Sequence, residues 1–234
     1  MVEIKLTKKP KNPTIIEGFP GLGFIGSIAT EFLVEHLKAE KIGKIEFNEQ
    51  MPLVAIHNSK IVEPFGIFYS KKFNLIILHA ITPVNNIEWK ITDAIEQISK
   101  MLMAKEVISI EGVASQNKTS NTYYYSKKFN KSFDKINIQP LKEGIIMGVT
   151  ASIMLRDNLP SSCIFVETHS QLPDSRAAAK VIETLDKYLK LNVDFKPLLQ
   201  KAEEFEKKLK MLMEQGNMAK EEKSKKEQTL NYLG

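Results

Sequence analysis

Four glycines fall within nine residues in Glu17-Gly18-Phe19-Pro20-Gly21-Leu22-Gly23-Phe24-Ile25-Gly26. Such a run lets the backbone turn tightly and approach a phosphate, a substrate or another part of the chain. Gly21, Gly23 and Gly26 match the G-x-G-x-x-G of dinucleotide-binding turns, where a pyrophosphate rests on a helix N-terminus. Glu46 lies at the distance of a ribose-binding acid. Against that chemistry, Glu17, Phe19 and Pro20 stand between the apolar end of the preceding strand and Gly21. They put a carboxylate and a rigid ring where a phosphate needs open N–H groups. A tightly packed turn that shapes a surface loop is the plainer reading; a nucleotide- or nucleoside-binding enzyme is the alternative.

A second set of reactive groups ends the apolar runs: Glu17, His79, Glu111, Glu167 and His169. Ligands of open α/β sheets bind beyond the carboxyl ends of the strands, so these groups could do acid–base chemistry or hold a metal. None stands in a ligand spacing such as H-x-x-x-H, and no G-x-S-x-G elbow occurs. Lone polar residues at strand ends usually cap loops. No catalytic residue, metal or cofactor is therefore expected.

Tyr123, Tyr124, Tyr125, Lys127, Lys128, Phe129, Lys131 and Phe133 mix aromatics with cations, as base-stacking surfaces do. A half-buried sheet face gives the same pattern. The net charge of +5 and pI of about 9.0 come almost wholly from lysine, with Arg156 and Arg176 the arginines. The lysines alternate with Glu over the C-terminal third, as on a solvated surface, and no nucleic-acid partner is expected. Cys163, the one cysteine, sits in an apolar run and reads as a small buried hydrophobe. No apolar run is long enough for a bilayer, and Met1 to Pro13 lacks the apolar core of a signal peptide. The expectation is a cytoplasmic protein without a membrane partner.

The elements that must position these groups follow from periodicity. Thr14 to Gly18 reads as a strand, and Leu22 to Lys38 as an amphipathic helix. Lys44 to Phe47, Leu53 to His57, Ile61 to Val62 and Gly66 to Tyr69 read as a β-meander. Leu75 to Leu78 reads as a strand covered on both faces. A helix capped by Asn85 or Asn86 runs to Ala104, and the strand Val107 to Ile110 completes a parallel crossover. Thr122 to Tyr125 reads as a hairpin strand, Gly144 to Leu155 as a helix and Ser162 to Glu167 as a core strand. Asp174 caps a helix through Leu191. Tyr-Ser-Lys-Lys-Phe-Asn, at 69–74 and again at 125–130, reads as two lysine-rich turns between strands.

Residues 1–195 thus read as an α/β domain with a mostly parallel central sheet, helices on both faces and a β-meander. A helical extension at 196–215 carries Leu198, Ala202, Phe205, Leu209 and Leu212 at heptad spacing. A charged tail at 216–234 reads as mobile and ends on Leu230, Tyr232, Leu233 and Gly234, apolar groups suited to a pocket that takes a chain end.

The stretch from Glu17 to Ala29 resembles the most recognisable motif of the proteasome assembly chaperone family. Glu111-Gly112, Glu167-Thr168, Pro173-Asp174 and Ala177-Ala178-Ala179 are similar to its pattern too, so the resemblance covers Ile15 to Leu191. It implies a fold similar to purine nucleoside phosphorylases and peptidyl-tRNA hydrolases without a known active site. It also implies homo-oligomers and binding to proteasome core α-subunits. Archaeal members end in a hydrophobic–tyrosine–any-residue motif that resembles the tails of proteasome activators. Here Tyr232 stands third from the end, with Asn231 before it.

Overall fold

The computed structural model describes residues 2–194 except 51, 58, 116–120 and 169–171, and beyond them positions 200, 204, 207 and 211. The strands, in chain order, are β1 (Val2–Leu6), β2 (Thr14–Gly18), β3 (Glu40–Phe47), β4 (Ala55–His57), β5 (Lys60–Val62), β6 (Phe65–Ser70), β7 (Leu75–Ala80), β8 (Glu106–Ala114), β9 (Thr122–Ser126), β10 (Gln139–Pro140) and β11 (Ser161–Thr168). The helices are α1 (Ile25–His36), α2 (Glu88–Leu102), α3 (Asn130–Asp134), α4 (Gly148–Met154) and α5 (Ser175–Leu189).

Nine strands form one sheet in the order β1-β3-β6-β7-β2-β8-β11-β9-β10, and β4 pairs with β5 apart from it. The central strands β7, β2, β8 and β11 run parallel, as expected of near-continuous apolar runs. The flanks are antiparallel: β1 with β3, β3 with β6, β6 with β7, and β9 with β11. Successive side chains of a strand point to opposite faces, which explains why neighbours such as Ile15 and Ile16 are both buried. Ile15, Ile76, Leu78 and Val107 pack under α2 and α4, with Ile91, Ile95 and Ile153. Ile16, Ile77, Ile108 and Ile164 pack under α1 and α5, with Ile28, Leu33, Val181 and Leu185. Helices therefore cover both faces.

Several expectations need correction. The N-terminal stretch, for which the periodicity predicts no element, forms β1. The meander is β3-β6-β7, with β4 and β5 as an excursion. β9 is not half of a local hairpin but pairs with β11 and β10. α2 starts at Glu88 with no side-chain cap, because Asn86 takes a left-handed φ of 68° instead of capping. α4 starts at Gly148, so residues 144–147 are not helical. The first Tyr-Ser-Lys-Lys-Phe-Asn turns β6 into β7; the second joins β9 to α3, not to a strand. α5 is capped as expected, the Asp174 carboxylate accepting from the Ala177 N–H at 2.9 Å.

The seam residues Leu198, Ala202, Phe205, Leu209 and Leu212, and Leu230, Tyr232, Leu233 and Gly234, lie outside the described residues.

Candidate functional site

The glycine turn leaves the carboxyl end of β2 and enters α1. The single helix foreseen from Leu22 is interrupted at its start. Leu22–Phe24 form a 3₁₀ turn, and left-handed φ values at Gly23 (66°) and Phe24 (52°) swing the chain into α1. Gly23 supplies that conformation without a steric cost, whereas Phe24 holds it at one. Phe19 is buried and meets Phe65 edge to face at 6.0 Å between centroids. Asp174 N–H donates to the Gly23 carbonyl (2.9 Å), so the start of α5 clamps the turn from the other side. Thr30 Oγ1 lies 3.1 Å from the Gly18 carbonyl and 2.8 Å from that of Gly26, tying strand end to helix start.

The strand-end acid Glu111 fills the place a phosphate would take. Its carboxylate accepts from the Gly112 N–H (3.1 Å), and the Leu22 backbone at the head of the turn favours its charge electrostatically. It lies so close to Gly21 that a Cβ there would fall 2.4 Å from Glu111 Oε1. The anion site at the helix start is taken by the chain's own side chain. Topology removes the other half of the nucleotide reading. β6 and β7 separate Glu46 on β3 from β2, and Glu46 pairs instead with Lys5 (2.7 Å) and Lys44 (2.6 Å).

Glu17 completes the arrangement. It is 1% exposed, and it accepts from Phe19 N–H on one oxygen (3.1 Å) and from Ser109 Oγ on the other (2.5 Å). Parallel register sets Glu17 beside Ser109 and Ser109 beside Cys163, one row across three central strands. Ser109 Oγ lies 2.9 Å from Thr150 Oγ1 at the start of α4, and Thr150 Oγ1 lies 3.2 Å from Glu111 Oε2. Glu17, Ser109, Thr150 and Glu111 are thus joined in series by three oxygen–oxygen contacts. The hydroxyls bring only one proton each. A full set of hydrogen bonds therefore needs one more proton, carried by Glu17 or Glu111. Burial, the leading cause, pushes Glu111 up to about 7 and, together with the nearby Glu111 charge, Glu17 up to about 8. Burial also raises the Cys163 thiol, which leaves it an inert core residue.

The other strand-end groups do not join this network. His79 is buried, with Nδ1 2.9 Å from Thr30 Oγ1 and Nε2 3.0 Å from a Glu31 carboxylate oxygen. Glu167 accepts from Ser115 (3.0 Å), from the backbone and side chain of Asn121 (3.0 and 2.9 Å) and from Tyr123 (3.3 Å). His169 lies outside the described residues. Among the described residues no three His, Cys, Asp or Glu side chains converge as a metal site. Part of the aromatic–lysine stretch, Tyr124 and Phe133, is buried in packing. Phe133 is sandwiched between Tyr124 (4.6 Å) and Tyr188 (4.4 Å), so these rings are not free to stack on bases. Ser109 and Thr150 were missed from the sequence; the only signal was a serine in an otherwise apolar run, Val107-Ile108-Ser109-Ile110.

The fold is a mixed α/β body whose glycine turn is filled from within by Glu111. The chain belongs to the PAC2 family, whose model matches residues 15–213, so the resemblance drawn from the glycine motif is borne out. It is similar to Pyrococcus furiosus PbaA, described as an archaeal homolog of proteasome-assembly chaperone. Identity there is 31% over 94% of this chain and 100% of that chain, with a TM-score of 0.83. Pyrococcus furiosus PbaB, described as an archaeal proteasome activator, shares the fold at 21% identity, covering 91% and 98% of the two chains with a TM-score of 0.75. An uncharacterized protein of Methanocaldococcus jannaschii is 28% identical over 96% of each chain. Among the described residues no helix is long and apolar enough to cross a membrane.

Proposed function

We propose that this chain is a non-enzymatic chaperone or adaptor that forms homo-oligomers and binds the α-ring of the proteasome core. In this role it assists assembly or modulates the particle. The observation that carries the reading is the likeness to PbaA over 94% of this chain and 100% of that one. The filled turn supports it, because the Glu111 carboxylate occupies the space beside Gly21 that a nucleotide phosphate would need. In this reading residues 1–195 are the body, 196–215 a helical seam, and 216–234 a tether that delivers Leu230, Tyr232, Leu233 and Gly234 to pockets between α-subunits. Several tails on one oligomer add their affinities, which offsets a weak single tail.

The test is a pulldown of proteasome core α-subunits with the intact chain and with residues 230–234 deleted. Capture by the intact chain and loss on deletion are expected. Equal capture by both removes the tail from the mechanism, and no capture by either overturns the reading.

A further inference from the structure

The nine-stranded sheet ends on two unlike edges. One is β10, two residues long and including Pro140, which has no N–H to offer. The other is β1, a five-residue strand without proline, with which no described strand pairs on its outer side. Thr7 N–H donates to the Ile42 carbonyl (2.8 Å), and the Lys5 carbonyl faces Gly43, 2.1 Å from where a Cβ would stand. Backbone groups of odd-numbered residues therefore point at β3. Strand alternation turns those of Val2, Ile4 and Leu6 to the unpaired side.

The sequence of this edge is complementary to itself. Read antiparallel about Ile4, Val2-Glu3-Ile4-Lys5-Leu6 sets Val2 opposite the partner's Leu6 and Glu3 opposite the partner's Lys5. Within the chain the register opposes like charges, Glu3 to Glu46 and Lys5 to Lys44, and Lys5 reaches diagonally to Glu46 (2.7 Å). Glu3 meets Lys5 of its own strand (3.3 Å), and a second copy would add the directly opposed cation that β3 does not supply. A parallel pairing would instead set like charges side by side. The half-buried side chains of Val2, Ile4 and Leu6, which pack on the α2 side, would gain cover. Charged residues normally guard an edge against pairing; here their order favours one partner, the same edge of another copy.

We propose that two copies of this chain join through β1, antiparallel and about a two-fold axis at Ile4, to make one continuous sheet. This deepens the homo-oligomer part of the proposed function and rests on that part alone.

The test uses the full chain tagged at its C-terminus. A hydrogen-bonded antiparallel pair has Cα atoms about 5.5 Å apart, within disulfide range. Ile4→Cys should therefore cross-link to a covalent dimer under mild oxidation. Glu3→Cys, offset from its own copy beyond about 7 Å, should do so at least about tenfold more slowly. The native Cys163 is buried and does not confuse the readout. Ile4→Pro removes an outward N–H at a position where an edge strand tolerates proline. It should halve the mass seen by light scattering while circular dichroism stays unchanged. Lys5→Glu should weaken the dimer, and Glu3→Lys with Lys5→Glu should restore it. Equal cross-linking of the two cysteine variants, or a monomeric wild type, overturns the proposal. An oligomer whose mass survives Ile4→Pro overturns this interface while leaving homo-oligomerisation and α-ring binding standing.

Discussion

Glu111 and Gly21 compete for one space: the Glu111 carboxylate lies where any side chain at position 21 would begin, 2.4 Å from its Cβ. That contact turns a motif resembling a phosphate cradle into an internal latch between β8 and the start of α1. Gly21→Ala should destabilise the fold by about 1–3 kcal/mol. Because Glu111 is the obstruction, adding Glu111→Ala should make the alanine at 21 cheaper than it is alone. Urea unfolding of the two single variants and the double variant measures this, and strict additivity would refute the latch.

The two buried carboxyls make stability depend on pH. Both carboxyls titrate above their ordinary value of 4.5 when folded, Glu17 near 8 and Glu111 near 7. Their contribution is complete below about pH 4 and is lost as pH rises through 7 to 8. The wild type should lose stability, relative to the Glu17→Gln, Glu111→Gln double variant, by on the order of a few kcal/mol between pH 5 and 9. Thermal melts of the two proteins across that range test it. Parallel curves would mean that neither carboxyl holds a proton in the folded chain.

Ser109 and Thr150 carry the link between the two acids. Thr150→Val keeps the shape but removes the bridging hydroxyl, and should cost about 1–3 kcal/mol. The same change in a Glu111→Gln background should cost less, since the neutral amide supplies its own donor. A cost unaffected by that background would show that the threonine acts only by packing.

Phe133 is fully buried between two tyrosine rings. Phe133→Ala should destabilise the chain by about 3–5 kcal/mol and free Tyr124 and Tyr188 to move. Near-ultraviolet circular dichroism should report the loss of ring order; an intact aromatic signal would contradict the stacking.

Calorimetric titration with ATP, NAD and nucleosides should give no saturable heat, because the Glu111 carboxylate already fills the space beside Gly21. Micromolar binding lost on Gly23→Val would reinstate the nucleotide reading.

The central strands were legible because burial on both faces leaves an unbroken apolar signature, as at Leu75 to Leu78. The cap at Asp174 was legible too, since its donor lies three residues on. β1 was not: five residues of alternating type among lysines form a strand only because β3 offers an edge. Glu17 and Glu111 were both picked out as strand-end acids, but not as a pair. Their union depends on the register that places Glu17 beside Ser109, and on α4 bringing Thr150 above it. Such information belongs to the sheet as a whole and to no local stretch.

The unequal borders of the sheet set a valence. A sheet that could accept neighbours at both rims would propagate into filaments. With Pro140 and a two-residue strand closing one rim, the β1 rim is the one full-length edge among the described strands, and in the proposed pairing it alone recruits. Growth by strand addition then stops after a single event, which protects a large, strand-rich body from runaway polymerisation at high concentration.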